Sequence, residues 1–395
     1  MRFSCKVVTS LSLTIALSTV VDASIRTTHS IAIEQRFFID DPQWPSQFNS
    51  TQISGVLSSD ITYRSRDRKM RTEFTPYLRL DERDAGRSYF DIREASVSYR
   101  LKDWEILGGI SQIFWGVNES RNPVDIINQF DTVEDIDEEE KLGQPLIRVS
   151  HRSHWGTIEA YYLPYFRERR FASQEGRLRF PFEINESARF ERNGDNTAGD
   201  IALRYSKRFG DFDLGLHAFQ GTSRNPFFLF EQGGTATPVY QALRQAGLDV
   251  QYTKGPWLLK AEIVSAEITS HFWSIVSGFE YTFFNIKQSN IDIGLIGEYL
   301  FDNRDQMVDP INIFDDDFFL GTRITLNDVQ DTEFLAGIIV DDNTGGTQGS
   351  VEFQRRIGNR ILLELEARFF DDSGDALLSA FETDDVLQAR VTFYF

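Results

Sequence analysis

Cysteine is almost absent: Cys5 stands alone among 395 residues. It falls in a segment where Arg2 and Lys6 precede an apolar run from Val7 to Val21, and Val21-Asp22-Ala23 offers small residues for cleavage. This pattern predicts a signal peptide over 1–23 and a mature chain over 24–395. A mature chain without cysteine excludes disulfides, thiol chemistry and thiolate metal sites, and Cys5 lies too far from the cleavage site for lipidation. Past Val21 no apolar run reaches the length of a spanning helix. Basic residues are outnumbered, 41 Lys and Arg against 60 Asp and Glu. Loss of Arg2, Lys6 and Asp22 takes the net charge from −19 to −20, which argues against nucleic acid as a partner. There is no glycine-rich phosphate loop, and no Pro/Ser-rich linker divides the chain.

What is present is alternation. Met70, Thr72, Phe74, Leu78 and Leu80 fall on one face of a strand; Arg71, Glu73, Thr75, Tyr77 and Arg79 fall on the other. Pro76 interrupts the apolar face, which a bulge would tolerate. Ile361–Phe369 and Ile291–Phe301 repeat the pattern. Eighteen such runs occur, near 28–37, 50–65, 69–80, 90–101, 103–115, 145–153, 156–166, 197–208, 211–221, 246–254, 257–269, 271–285, 289–301, 313–326, 331–340, 347–357, 360–370 and 385–395. Every second connection is a short turn, from Arg66-Asp67-Arg68 to Gly358-Asn359. Between them stand long segments such as 116–144, 167–196 and 222–245. Two unlike faces with polar and apolar residues alternating along each strand mark a transmembrane barrel, whose mean hydropathy is routinely polar, here −0.33. The expected fold is all-β: a single transmembrane antiparallel β-barrel of eighteen strands, or sixteen if one hairpin is dropped. Thr269–His271 is short for an outer connection, and the runs at 103–115 and 331–340 look apolar on both faces.

The last run, Val386–Phe395, ends on Phe395 with Leu387, Ala389, Val391 and Phe393 on the same face. This resembles the closing strand of Gram-negative outer-membrane β-barrels. The resemblance implies residence in the outer membrane, with the lipid bilayer and lipopolysaccharide as surroundings and the barrel assembly machinery as a partner. A lumen bounded by eighteen strands is too wide for wall side chains to fill. An inward-folded loop is the remaining way to narrow it.

The segment Gly116–Gln144 is the candidate for that loop. Asn122 as N-cap and Pro123 at the first helical position predict a short helix, with Val124, Ile127 and Phe130 free to pack on a wall. An acidic run follows: Asp131, Glu134, Asp135, Asp137, Glu138, Glu139 and Glu140. A solvated charge run is one reading; a constriction inside the pore is the other. The lumenal faces collect Arg36 and a basic wall of Arg71, Arg79, Arg100, Arg148, Arg204, Arg323, Arg356, Arg368 and Arg390. Facing an acidic loop, these arginines would set a transverse field across the pore. Alternatively they pair with lumenal Glu34, Glu73, Glu94, Glu159, Glu352, Glu364 and Glu366 to stiffen the wall. Both readings stand at this point.

An inward third outer loop resembles porins. The segment Phe114-Trp115-Gly116, Glu119-Ser120 and Asn122-Pro123-Val124-Asp125 also resembles a broad group of outer-membrane proteins whose substrate is unsettled, some of them thought to serve export or lipid handling. The expected function is a passive channel for small polar solutes. The alternatives are a conduit for lipid or hydrophobic compounds in an export system, or a structural or adhesive barrel. Catalysis is not expected: of the five histidines only His217 points into the lumen, near Asp213, where a wall hydrogen bond suffices. Asp315-Asp316-Asp317 and Asp341-Asp342 lack EF-hand spacing, and no cofactor or metal is expected. A homotrimer is common among porin-like barrels, but no feature of the sequence requires one.

Overall fold

The computed structural model describes residues 24–306, 309–312, 314–371 and 378–395. The expected signal peptide lies outside the described residues. The strands are β1 (Ser24–Phe38), β2 (Thr51–Arg64), β3 (Met70–Asp81), β4 (Tyr89–Leu101), β5 (Trp104–Ser111), β6 (Gln144–Ser153), β7 (Gly156–Leu163), β8 (Glu183–Ile184), β9 (Arg189–Phe190), β10 (Asp200–Phe209), β11 (Phe212–Thr222), β12 (Phe227–Phe230), β13 (Thr235–Tyr240), β14 (Ala242–Lys254), β15 (Trp257–Glu267), β16 (His271–Phe283), β17 (Asp292–Asp302), β18 (Asp316–Thr325), β19 (Glu333–Asp341), β20 (Thr347–Ile357), β21 (Ile361–Asp371) and β22 (Val386–Tyr394).

Eighteen of these form one antiparallel sheet in which each strand pairs with its sequence neighbours, β7 with β10 and β11 with β14. β22 returns to β1, from Ser30 opposite Tyr394 to Phe38 opposite Val386, and closes the wall. Closure leaves no strand edge to lipid, where an unpaired peptide group would find no partner. The eighteen expected runs all become wall strands, the short connection at Thr269 included. Sixteen strands is set aside.

Period two decides what faces where. In β1, Ile31, Ile33 and Phe37 are 49 %, 64 % and 45 % exposed, while Ala32, Glu34 and Arg36 between them are 2 %, 2 % and 5 %. The exposed set faces the bilayer. Near the short turns the outer surface carries aromatic pairs, Trp104 with His151 at 4.4 Å, Phe212 with Tyr252 at 4.5 Å and Trp257 with Tyr281 at 4.7 Å. Such rings make the interfacial girdle of a membrane barrel. Pro76 behaves as a bulge position: the β3–β4 register shifts between Thr75 and Pro76, where β4 carries Arg93 as an extra residue.

Three features differ from the sequence reading. The wall strand expected over 103–115 ends at Ser111, because the chain there turns off the wall. The apolar inner face of β5 is then covered, with Leu107 buried under Trp115, Val124 and Ile127. Above the barrel, the outer connections build a small sheet of their own: β12 pairs with β13, and β8 and β9 pair with β13 in parallel. The third concerns the helix at Asn122, which belongs with the loop.

Candidate pore constriction

Residues 112–143 leave β5 and return at β6 as a loop pinned by its own side chains. Asn128 holds both ends: its Oδ1 accepts from the Ile113 N–H at 2.8 Å, and its Nδ2 donates to the carbonyls of Ser111 (2.9 Å) and Leu142 (2.8 Å). Lys141 donates to the Ile113 carbonyl and pairs with Asp125, which also accepts from the Trp115 N–H. Burial pushes the Asp125 carboxyl up to about 6 even beside Lys141. Trp115 wedges between the rings of Tyr161 (5.6 Å) and His217 (5.2 Å) and under the Arg204 guanidinium. Val124 and Ile127 are fully buried against the inner wall.

The expected helix is absent. Asn122 and Asp125 close a single turn through the Asp125 N–H and the Asn122 carbonyl. Asn122 Oδ1 accepts from the Asn118 N–H at 3.1 Å, and Gly116, at φ +152°, passes so close that a Cβ there would come within 2.2 Å of that oxygen. Helix continuation would withdraw Asn128 from its three bonds and Ile127 from the wall. Tertiary contacts override the capping signal.

Two wall carboxylates hold the turn from the far side of the barrel. Glu262 on β15 accepts main-chain N–H groups of Val117 (2.7 Å), Asn118 (3.3 Å) and Val124 (3.2 Å). Glu298 on β17 accepts those of Glu119 (2.7 Å) and Ser120 (2.8 Å) and the Ser120 hydroxyl. Glu119 in turn meets Arg323 on β18. Five backbone donors in one irregular turn are thereby satisfied by two side chains, as peptide groups away from water must be.

The acidic run carries the second half of the loop. Asp131 to Glu140 is closed by a main-chain bond at 2.8 Å. Asp131 accepts from Tyr89 (2.6 Å) and Arg93. Glu134 is bound by Tyr77, by Arg79 Nε at 2.8 Å and by Arg390 at 3.2 Å, while Arg79 also forks onto Glu34 with two bonds of 2.9 Å. Arg368 takes Asp135 (2.9 Å) and Asp137 (2.6 Å), and Glu138 meets Arg169 at 3.3 Å. Glu139 and Glu140 make no ion pair among the described residues. Of the nine wall arginines, Arg79, Arg368 and Arg390 meet the acidic run and Arg323 meets the loop at Glu119. The others pair elsewhere: Arg71 with Glu73, Arg100 with Glu105, Arg148 with Glu105 and Glu159, Arg204 with Asp249 and Arg356 with Asp331.

The loop's electrostatics is uneven. Glu134 would be raised by burial, but Arg79 and Arg390 outweigh that and hold it down to about 2. Burial together with the Asp135 charge pushes Asp137 up to about 6, and burial with Asp137 and Glu352 pushes Glu139 up to about 7. A cavity of about 240 Å³ beside them is lined by Glu139, Glu140, Glu352, Glu364 and Glu366, with Arg368 and Arg390 as its only cations among the described residues. Asp135, Asp137 and Glu366 approach within 4.8 Å of one another, but the Arg368 guanidinium already pairs with all three. Sequence reasoning passed over Glu262, Glu298, Arg93 and Lys141. Glu262 and Glu298 look like any lumenal glutamate, and only the bulge at Pro76 hints that Arg93 points inward.

The other candidates are engaged locally. His217 is buried, its Nε2 3.0 Å from Gln245, with the Trp115 ring beside it. Asp341 accepts from the N–H groups of Asn343 and Thr344 within a tight turn.

No family model matches the sequence, and no curated protein matches it. Solved structures do resemble the fold. Pseudomonas aeruginosa OccK9 (OpdG) matches with a TM-score of 0.55 at 11 % identity, covering 95 % of this chain and 98 % of that one. A BenF-like porin from Pseudomonas fluorescens Pf-5 matches at 0.52 and 10 % identity, over 93 % and 98 %. Wzi of Escherichia coli, a carbohydrate-binding outer-membrane β-barrel involved in group 1 capsule assembly, matches at 0.55 and 11 %, over 92 % and 84 %. At these identities the likeness is one of fold. With the closed wall, the apolar outer face and the aromatic girdle, it makes this chain an outer-membrane β-barrel of porin-like architecture.

Proposed function

We propose that the protein is an outer-membrane channel for passive diffusion of small polar solutes, narrowed by the acidic loop Gly116–Gln144. The observation that carries this reading is the position of Glu139. It lines three cavities, of about 590, 550 and 240 Å³, so that it stands where the spaces around the loop meet. Most loop carboxylates are neutralised by arginine, which turns the expected open field into an interlock. The charge left over is negative and belongs to Glu139 and the wall glutamates, while burial among acidic neighbours holds Glu140 well above the usual carboxylate range. The channel therefore prefers cations, by the charged-ring logic of pore selectivity. The bilayer and lipopolysaccharide are its surroundings, and the assembly machinery is the partner that reads Phe395.

Purified protein in a planar bilayer should give steady conductance steps; a folded barrel without steps would sink the channel reading. Changing Glu138, Glu139 and Glu140 to Gln together should move the salt-gradient reversal potential toward anions. An unchanged potential would put the loop out of the ion path.

Glu139 and its neighbour Asp137 give a pH dependence. Groups raised to about 7 and about 6 carry charge at pH 8 and lose it by pH 5. Cation preference should fall across that window, well above the ordinary carboxylate range near pH ~4. A reversal potential that stayed flat until pH 4 would show that Glu139 and Asp137 do not set selectivity.

A further inference from the structure

The cavity of about 590 Å³ on the outer side of the loop is within the roughly 300–1,000 Å³ range of small-molecule sites. Most charges on its lining are spent internally. Arg169 pairs with Glu138, Arg224 with Asp200, Arg304 with Asp302 and Asp309, and Arg368 with Asp135 and Asp137. Arg179 makes no ion pair among the described residues but is held by the Phe180 carbonyl, the Ser46 hydroxyl and the Trp44 ring. Arg121 has neither an ion pair nor such hydrogen bonds among the described residues. Its guanidinium lies over the Phe314 ring at 4.5 Å. Glu139 and Glu352 also line the cavity and make no ion pair among the described residues.

Between these charges the wall is apolar. Phe314, Leu335 and Ile339 pack on a cluster that contains Phe319. Phe319 stands opposite Ile339 on β19; Arg323 stands opposite Leu335, which stands opposite Glu352 on β20. From the Phe319 row to the Arg323 row is four residues, about 13 Å at ~3.3 Å each. The Phe319 ring lies against Gly321 and Gly337, where a Cβ would come within 2.8 and 2.4 Å of it. Glycine keeps that stretch of wall bare and the aromatic ring flat against it. Leu335 and Ile339 stay only half-buried, so part of the strip still faces the lumen. Apolar surface of this kind is stabilised when an apolar body covers it. One more group points the same way: Asn118 is 8 % exposed, lines the cavity and leaves its Oδ1 without a donor, ready to accept an N–H.

A cation with no polar partner among the described residues, an apolar strip with an open amide acceptor, and carboxylates without an ion pair complement one chemical class. The geometry points to a short zwitterionic peptide with apolar side chains as the solute this cavity binds, its carboxylate at Arg121 and its ammonium at Glu139 and Glu352. The length of the strip matches an extended chain of about three or four residues at ~3.3–3.6 Å each. An incoming ammonium also relieves the like-charge repulsion between Glu139 and Glu352. This inference rests on the channel reading above and names its solute.

The test uses single channels of the whole barrel with trileucine as the probe. Trileucine should block the current transiently. Its N-acetyl derivative and its C-terminal amide, each lacking one charge, should block about fivefold more weakly, the effect of one partly exposed ion pair. Arg121→Gln should abolish the discrimination against the amide and leave that against the acetyl form. Glu139→Gln with Glu352→Gln should do the reverse. Equal block by all three probes, or discrimination that survives both variants, overturns the inference while leaving a channel in place. If no current flows, the channel reading fails instead. Calorimetric titration of trileucine then decides the site by the same ranking of probes.

Discussion

Replacing Arg79 with alanine is expected to cost the barrel about 3–5 kcal/mol, the usual consequence of removing one partner from a buried ion pair. Arg79 has no exposed surface, and it is shared between Glu34 on the wall and Glu134 on the loop. Its loss leaves two buried carboxylates facing each other, with Arg87 still on Glu34 and Arg390 still on Glu134. Urea unfolding of refolded protein in detergent reads the loss directly. The control is a cycle in which Arg79→Met is combined with Glu134→Gln. If the interlock is what matters, the double variant should be less damaged than the sum of the singles, because neither charge is then stranded. Additive losses would mean that Arg79 acts by packing alone. The network also has its own pH window. Glu134, held down to about 2, contributes stability that is fully present above its unfolded value near ~4.3 and is lost as the pH falls toward 2. Selectivity should therefore change between pH 8 and 5 while the loop stays locked.

The second large effect is expected at the far side of the barrel. Changing Glu262 and Glu298 together to alanine removes the acceptors of five main-chain N–H groups in residues 117–124. Each donor left dry costs about 1–3 kcal/mol, so even if water reaches three of the five, the remaining two amount to about 2–6 kcal/mol against the docked turn. That is enough to shift the loop from one dominant position to several. Conductance should rise and open-channel noise should grow, with Arg323 and Lys260 no longer steadied by Glu119. Glutamine at both positions should restore part of the effect, since an amide oxygen still accepts. A double alanine variant with native conductance and noise would show that the apolar anchor at Trp115, Val124 and Ile127 holds the loop unaided.

These two sites also mark where reading the sequence stops. The motif around Trp115, Glu119, Ser120 and Asp125 stood out, and every one of those residues has a defined partner. What they bind could not be read. Glu262 and Glu298 lie on the polar face of ordinary strands, with nothing local to set them apart from Glu364 or Glu73. The helix expected at Asn122 failed for a related reason. Its capping residues are sound, but the N–H groups and side chains nearby find better partners on a wall that is distant in sequence. The small sheet built by β12 and β13 was missed because short segments in outer loops carry no period to detect.

The wall was legible because water on one side and lipid on the other impose a choice at every residue. Eighteen runs, most of their inward and outward faces and the division into short and long connections follow from alternation and connection length, while closure decides for eighteen strands over sixteen. Which arginines come level with the loop depends instead on strand tilt and register accumulated around the whole closed sheet. Arg79 and Arg390 meet at Glu134, although Arg390 lies 256 residues further along the chain. Arg71 and Arg356, read from the same pattern, meet only their own neighbours. Period two is a local property and is written in each strand. The meeting of loop and wall is a property of closure, and only the folded barrel decides it.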